Sequence, residues 1–381
     1  MRGFLVLFLR RAVARRTFAR KFRALLRARK KIPRAIARMA TRNSILFRYF
    51  YIGAAAYVTA ASFARLAHAE PSPLVPEIGF NSGEIDTGRS IGMGGATRAL
   101  GNAVTGLYSN PANIALTHVY HLQGLAQIWP DARRQTYGAS AVDSVSGRLS
   151  GALGAHYGVL DSDGVDRKWT DVRVAAAFPI SDKFYAGITA KYLKLHDNGA
   201  PRLGYGLRNS YAWRGLADSP TVEGFTFDAG ITVIPTTGLF LGIVGSNLTK
   251  PDNGFRPLTL GGGIGYGNND ITAEIDVVAD FTTYTGADGS SRTAMRGMAG
   301  FEYLAADHFP LRVGYRYDVE PATHAISAGV GYIDTQFSVD IGFRRTVTGK
   351  EPYGPVTAIV IDLQYFLESS GMTRTPVDNP E

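Results

Sequence analysis

The sequence predicts an all-β fold, a transmembrane antiparallel β-barrel of about 14 strands. The first observation is a repeated alternation of apolar with charged or small side chains over segments of about ten residues. Val339 and Ile341 share one face of such a segment, and Asp340 and Arg344 share the other. A soluble sandwich also alternates, but outer-membrane barrels combine strands of roughly 9–11 residues with an even strand number. The length and number of the segments therefore favour a membrane barrel.

The second observation is a set of ionisable side chains on the polar faces of these segments. One Arg or Lys placed against lipid near the midplane would cost roughly 2–4 kcal/mol, so these side chains are predicted to face the lumen. Lipid offers no partner to backbone amides, and the sheet must therefore close. Opposite signs on neighbouring strands predict ion pairs with each other or with a segment inside the barrel, in structural roles. The luminal set is Arg173, Lys191, Glu274, Asp276, Asp280, Arg312, Arg316, Asp318, Asp340, Arg344 and Asp362.

The third observation is the position of aromatic residues near the strand ends, where rings with a polar tip suit the boundary between water and lipid. The last strand ends on Tyr365 and Phe366, an aromatic finish similar to the signal read by barrel assembly machinery, although a polar tail over 368–381 follows it. The other aromatic residues of this kind are Tyr185, Tyr192, Tyr266, Tyr303, Tyr315 and Tyr332.

The alternation divides the barrel region, 119–367, into strands and loops. The segment 205–213 could add a strand, but we interpret it as part of an outward loop over 196–222. Short turns such as 180–183, 268–270 and 334–335 are predicted at the periplasmic end, and longer loops at 160–170, 248–256 and 282–295 at the outer end. The predicted strands are 120–129, 134–143, 150–159, 171–180, 184–195, 223–233, 239–247, 257–266, 271–281, 296–304, 311–319, 323–333, 335–345 and 356–367.

The net charge of +9 averages two unlike parts of the chain. Residues 1–69 contain no Asp or Glu and carry seventeen of the 41 Lys and Arg residues. The remainder has 24 basic and 32 acidic residues, a net charge of −8. Because the positive charge lies in a segment predicted to be removed, nucleic-acid binding is not expected.

The basic extension leads into a predicted signal peptide. An apolar run of sixteen residues, 49–64, is too short to span a bilayer and is followed by Ala67-His68-Ala69, a signal-peptidase pattern. We expect export to the bacterial outer membrane, with cleavage after Ala69. The long basic start indicates either that translation begins at Met39, which we favour, or that an amphipathic arm precedes the signal. A mitochondrial presequence has the same composition and stays an alternative.

Two motifs lie between the signal and the first strand. Residues 88–96 read GRSIGMGGA, and 110–115 read NPANIA. With these motifs the chain resembles the long-chain fatty acid transporter superfamily of outer-membrane proteins, including type IX secretion shuttle porins. The resemblance covers about residues 80–367 and includes the later segments 245–248, 255–263, 301–303 and 311–316.

The resemblance implies that residues 70–118 form a hatch inside the barrel. Carried over by motif, the hatch residues are Gly92, Gly94, Gly95, Asn110, Pro111 and Ala112. Proline fixes φ and asparagine caps neighbouring amides, which suits a plug. The alternative for Asn110 and Pro111 is an ordinary helix start, with Asn as the cap and Pro at the first position.

The resemblance implies two classes of function. The first is passive uptake of hydrophobic small molecules such as long-chain fatty acids, gated by the hatch; the second is a barrel that carries or anchors exported proteins without transport. No catalytic constellation is evident, since Ser327 and His324 are three apart on one strand and point to opposite faces. The histidines lack metal-ligand spacing and the chain has no cysteine, so no metal or other cofactor is expected.

Overall fold

The described residues form a closed antiparallel barrel of fourteen strands in which β1 pairs with β14, which confirms the predicted fold. The computed structural model of the protein describes residues 85–131, 134–160, 167–196, 222–249, 256–285, 291–320, 322–348 and 356–368. The predicted extension and signal peptide, the first part of the hatch at 70–84, the segment 205–213 and residues 369–381 lie outside the described residues.

Each strand pairs with its neighbours in sequence, and every connection is a hairpin. The predicted bounds of 120–129, 134–143 and 323–333 match the structure to the residue. The strands are β1 (Tyr120–Trp129), β2 (Arg134–Asp143), β3 (Ser150–Leu160), β4 (Arg167–Ser181), β5 (Phe184–His196), β6 (Val222–Thr236), β7 (Leu239–Ser246), β8 (Thr259–Gly267), β9 (Ile271–Thr285), β10 (Ser291–Ala305), β11 (Phe309–Asp318), β12 (Thr323–Ile333), β13 (Phe337–Thr348) and β14 (Thr357–Glu368).

Four strands are four to six residues longer than the alternation predicts. β4, β6, β9 and β10 each have 15 residues. The predicted outer loops 160–170 and 282–295 are therefore partly wrong, because β4 already begins at Arg167 and β10 at Ser291. The ladder continues here through sequence that is polar on both faces, as at Thr282 and Thr283, so no apolar face marks the strand.

The two faces of the barrel wall differ sharply. On β9, Ile275 is 60% exposed on the outer wall, whereas its neighbour Asp276 is 1% exposed. On β11, Val313 is 57% exposed and Arg312 is 3% exposed. An outer wall of exposed aliphatic and aromatic side chains around a charged interior is the arrangement that lipid requires.

The described part of the chain contains no helix that is both long enough and apolar enough to cross a membrane.

The connections at the two ends of the barrel differ in length. Short turns such as 182–183, 237–238 and 334–336 lie at the end where β1 begins and β14 finishes. The longest connection, 197–221, belongs to the opposite end. Outer-membrane barrels place short turns in the periplasm and longer loops outside, so the end with the longer connections is called the outer end.

Residues 85–119, here called the luminal segment, precede the barrel. They contain the helices α1 (Gly88–Gly92) and α2 (Ala103–Ser109) and a 3₁₀ helix, Pro111–Leu116. α1 contacts β11 to β14, α2 contacts β2 and β3, and the 3₁₀ helix contacts β3 to β6. Since these strands lie on opposite sides of a closed barrel, the luminal segment fills its interior.

Candidate functional site inside the barrel

The luminal segment begins with a capped helix. The hydroxyl of Thr87 accepts from the amide of Ser90, and the hydroxyl of Ser90 accepts from the amide of Thr87 at 2.9 Å. This reciprocal pair satisfies two amides that a helix start would otherwise leave without partners. The segment therefore has its own local structure besides its contacts with the wall.

Asn110 caps the 3₁₀ helix, and Pro111 is at its first position. The Asn110 Oδ1 accepts from the amide of Ala112 at 3.2 Å. The Nδ2 of Asn110 donates to the carbonyl of Arg98 at 2.8 Å and to the hydroxyl of Thr232 on β6 at 3.0 Å. The structure thus places Asn110 and Pro111 at a helix start that lies inside the barrel. The luminal position and the helix start, which the sequence alone leaves as alternatives, therefore occur together.

Close backbone packing holds the glycine motif against the wall. Gly94 and Gly95 have φ of +70° and +91°, a region that favours glycine. A Cβ added to Gly92 would lie 3.1 Å from the α-carbon of Gly329 on β12. A Cβ added to Gly314 on β11 would collide with the backbone of Gly94. Glycines of both the motif and the wall allow this approach.

Wall carboxylates accept hydrogen bonds from backbone amides of the luminal segment. Asp362 accepts from the amide of Gly88 at 2.5 Å. Glu274 accepts from the amides of Ala99 at 2.5 Å and Leu100 at 3.1 Å. These bonds satisfy three buried backbone amides, so the two side chains anchor the segment.

Asp276 anchors the same turn. Its Oδ2 accepts from the amides of Thr97 at 2.9 Å and Arg98 at 3.0 Å and pairs with the Arg98 guanidinium at 3.2 Å. Glu274 and Asp276 together therefore bind the four consecutive amides of 97–100.

Ion pairs connect the wall with the luminal segment and with itself. Arg344 on β13 pairs with Asp86 of the segment at 2.9 Å. Arg312 on β11 pairs with Glu302 on β10 at 2.6 Å and also with Asp340 on β13. These pairs are almost fully buried, and removal of one partner would strand a charge.

Other predicted luminal charges pair within the barrel wall, either between neighbouring strands or within one strand. Lys191 on β5 pairs with Asp228 on β6 at 2.7 Å. Arg173 instead pairs at 2.8 Å with Asp171 of its own strand, and Arg316 likewise pairs with Asp318 at 3.4 Å.

Sequence reasoning missed several partners in this network. Arg296 and Glu302 lie on the polar face of β10, so the alternation could have identified them. Asp86 and Arg98 lie in the luminal segment, where the sequence has no alternation that would predict which way a side chain points. Ser327 faces the lumen and His324 bonds to Tyr315 on the outer wall, so they do not form a pair.

The wall at β1 and β2 has a different character. Gln123, Gln127 and Thr136 are at most 2% exposed, and among the described residues their side-chain polar atoms have no hydrogen-bond partner. These three residues are here called the amide strip. At the outer end of β1 and β2, the Arg134 guanidinium lies 3.9 Å from the Trp129 ring and 4.5 Å from the Trp169 ring.

In the part of the chain that the structure describes, no three His, Asp or Glu side chains cluster in a way that could hold a metal ion.

No protein-family model and no curated protein matches the chain. Solved structures do match it. The Ralstonia pickettii toluene transporter TbuX has a TM-score of 0.54 at 17% identity, over 76% of this chain and 99% of that protein. A Pseudomonas aeruginosa FadL homologue has a TM-score of 0.52 at 11% identity, over 76% and 100%. The Pseudomonas putida toluene transporter TodX has a TM-score of 0.50 at 12% identity, over 78% and 99%. The chain therefore has the barrel fold of FadL-type proteins.

Proposed function

We propose that the protein is an outer-membrane channel for passive uptake of hydrophobic small molecules, with the luminal segment as its gate. The observation that carries this proposal is a barrel whose interior is filled by a segment held only through noncovalent contacts among the described residues. In this proposal the occupied barrel is closed to solutes until the segment shifts. A shift would let a solute descend its concentration gradient without an energy source.

The contacts that hold the segment suit a gate. They consist of hydrogen bonds from Asp362, Glu274 and Asp276, an ion pair from Arg344, and close glycine packing. All of these contacts are noncovalent, so displacement of a part of the segment requires no covalent change. The names of the toluene transporters with the same fold support hydrophobic compounds as the class of solute.

The proposal includes the setting of the protein. The exposed apolar outer wall supports a bilayer as its surroundings, and the long outer connections support the bacterial outer membrane. Export through the predicted signal peptide and insertion by barrel assembly machinery would deliver it there. Hydrophobic small molecules, either aromatic hydrocarbons or fatty acids, are the proposed ligands. Carriage of exported proteins, the second class predicted from the sequence, is the competing outcome of the test.

Uptake into proteoliposomes tests this function. Purified protein is reconstituted into vesicles with a lipopolysaccharide-containing outer leaflet, and entry of labelled toluene and labelled dodecanoate is followed over time. We expect entry of at least one solute faster than into empty vesicles. No increase for either solute, together with co-purification of a secreted protein, would instead support the carrier.

A further inference from the structure

We propose that the amide strip binds an uncharged hydrogen-bonding group, such as a hydroxyl or carbonyl, of a ligand that is otherwise apolar. This inference rests on the proposed function and assigns a ligand class to the same lumen. Gln123, Gln127 and Thr136 are the residues that would make the contact.

Polar groups are buried at the amide strip without partners. Gln127 and Thr136 are both 0% exposed, and neither makes a side-chain hydrogen bond to any described residue. Buried polar groups are nearly always paired, so several unpaired groups on adjoining strands indicate a place where another molecule supplies the partner. Inside the same barrel, Asn110 and Thr232 bond to each other, whereas Thr189 and Ser327 also lack a partner among the described residues but each contributes a single hydroxyl.

The side chains of Gln127 and Thr136 converge. Gln127 on β1 lies directly opposite Thr136 on β2 in the register, and both face inward. Residues opposite each other in an antiparallel pair have Cβ atoms about 4.5–5.5 Å apart. An amide and a hydroxyl at that spacing can donate to and accept from a single oxygen atom.

Apolar side chains interleave with the strip. Leu125 and Trp129 lie on the same inward face of β1 and pack with Val360 of β14 and with Ile85 and Ile91 of the luminal segment. The face therefore suits an apolar body that carries one polar group. Ile85 and Ile91 cover it in this structure, so a shift of the luminal segment would expose the strip.

The strip contains no cation, and the carboxyl side chain of Asp362 lies opposite Leu125, between the positions of the two glutamines. A ligand carboxylate at the strip would therefore have an acidic side chain, and not a base, beside it. The Arg134 guanidinium lies against Trp129 and Trp169 at the outer end. A neutral hydroxyl or carbonyl therefore fits better than an ionised acid.

Three probes that share one ring and one methyl group distinguish these cases. They are 4-methylphenol, toluene and 4-methylbenzoate, and at pH 7 the phenol is neutral whereas the acid is ionised. Binding to the full protein in lipid nanodiscs is measured by calorimetry, with empty nanodiscs subtracted. We expect 4-methylphenol to bind about fivefold to tenfold more tightly than toluene, and 4-methylbenzoate to bind most weakly.

The double variant Gln127→Leu, Thr136→Val identifies the residues responsible. We expect it to lose the preference for 4-methylphenol over toluene while its affinity for toluene stays unchanged. The control is Thr189→Val, which removes another buried luminal hydroxyl on β5, away from the strip, and should keep the preference.

Three results would overturn the inference: no binding of 4-methylphenol, tighter binding of 4-methylbenzoate, or an unchanged preference in the double variant. Uptake into vesicles separates this outcome from failure of the proposed function. If the protein takes up solutes but the double variant keeps its preference for 4-methylphenol over toluene, the channel function is supported and the proposed ligand class is wrong.

Discussion

The two sides of the lumen hold the luminal segment in different ways. On β9 to β13, the inward-facing side chains Glu274, Asp276, Glu302, Arg312, Asp340 and Arg344, here called the ionic wall, are paired with the segment or with each other. The amide strip on β1 and β2 makes no side-chain hydrogen bond to any described residue, and the neighbouring Leu125 and Trp129 on the same face of β1 pack with the apolar side chains of the segment.

The difference indicates where the segment can loosen. Hydrogen bonds and ion pairs in a buried site depend strongly on geometry. Apolar contacts are non-directional, so the segment can shift along an apolar surface more easily. We therefore expect the segment to stay attached to the ionic wall while it opens along β1.

Loss of a buried charge should have the largest effect. Arg312→Met leaves Asp340 without its guanidinium partner and weakens the pairing of Glu302, so we expect the free energy of unfolding to fall by about 3–5 kcal/mol. The measurement is urea-induced unfolding in detergent. The control is Arg292→Met, because Arg292 is 64% exposed in its pair with Glu320 and should matter by at most about 1 kcal/mol. Equal effects of the two variants would contradict a paired ionic wall.

A methyl group added where two backbones pack closely should cause the second-largest loss of stability. In Gly314→Ala the added methyl group meets the backbone of Met93 and Gly94, which cannot rotate away, so we expect a loss of about 1–3 kcal/mol and faster proteolysis of the luminal segment. Gly297→Ala on neighbouring β10 is the control, since nothing lies within 4 Å of its added Cβ. If the segment is equally protected from protease in both variants, it is not seated against β11.

Removal of the hydroxyl of one buried threonine should have the smallest effect on stability, and two such threonines can be compared directly. Thr232→Val removes a hydroxyl that bonds to Asn110 and Asn113, and we expect a loss of about 1 kcal/mol. Thr136→Val removes a hydroxyl of the amide strip with no such partner, so stability should be unchanged or slightly higher. Unfolding midpoints of both variants, measured side by side, would contradict the contrast if Thr136→Val were the more damaging change.

The alternation predicts the barrel well because lipid imposes it. Every strand must present an apolar face over the bilayer thickness, and a one-residue error would place charges such as Asp276 or Arg312 in hydrocarbon. Beyond the bilayer a strand needs no apolar face. The outer parts of β4 and β10 therefore lack the alternation, and the sequence predicts loops there.

The interior is less predictable from sequence. The facing of Arg344 follows from the alternation, but its partner Asp86 lies in a segment without periodicity, and the pairing depends on how that segment folds. The unpaired state of Gln127 and Thr136 is also hidden, because an inward polar residue in a barrel has the same sequence pattern whether it is satisfied or not.

The most direct test is a reversible cross-link between the luminal segment and the side of the barrel where it is expected to open. The hydroxyl of Tyr108 in α2 bonds to the hydroxyl of Ser140 on β2, next to β1, and the chain has no cysteine of its own. The double variant Tyr108→Cys, Ser140→Cys is reconstituted in vesicles and bridged with a short bifunctional thiol reagent that a reductant can cleave. Solute entry is measured after cross-linking and again after reduction, with each single variant as a control. We predict that cross-linking reduces entry to the level of empty vesicles, that reduction restores it, and that neither single variant responds. Entry through the fully cross-linked barrel at the rate of the reduced one would contradict a gate that has to move.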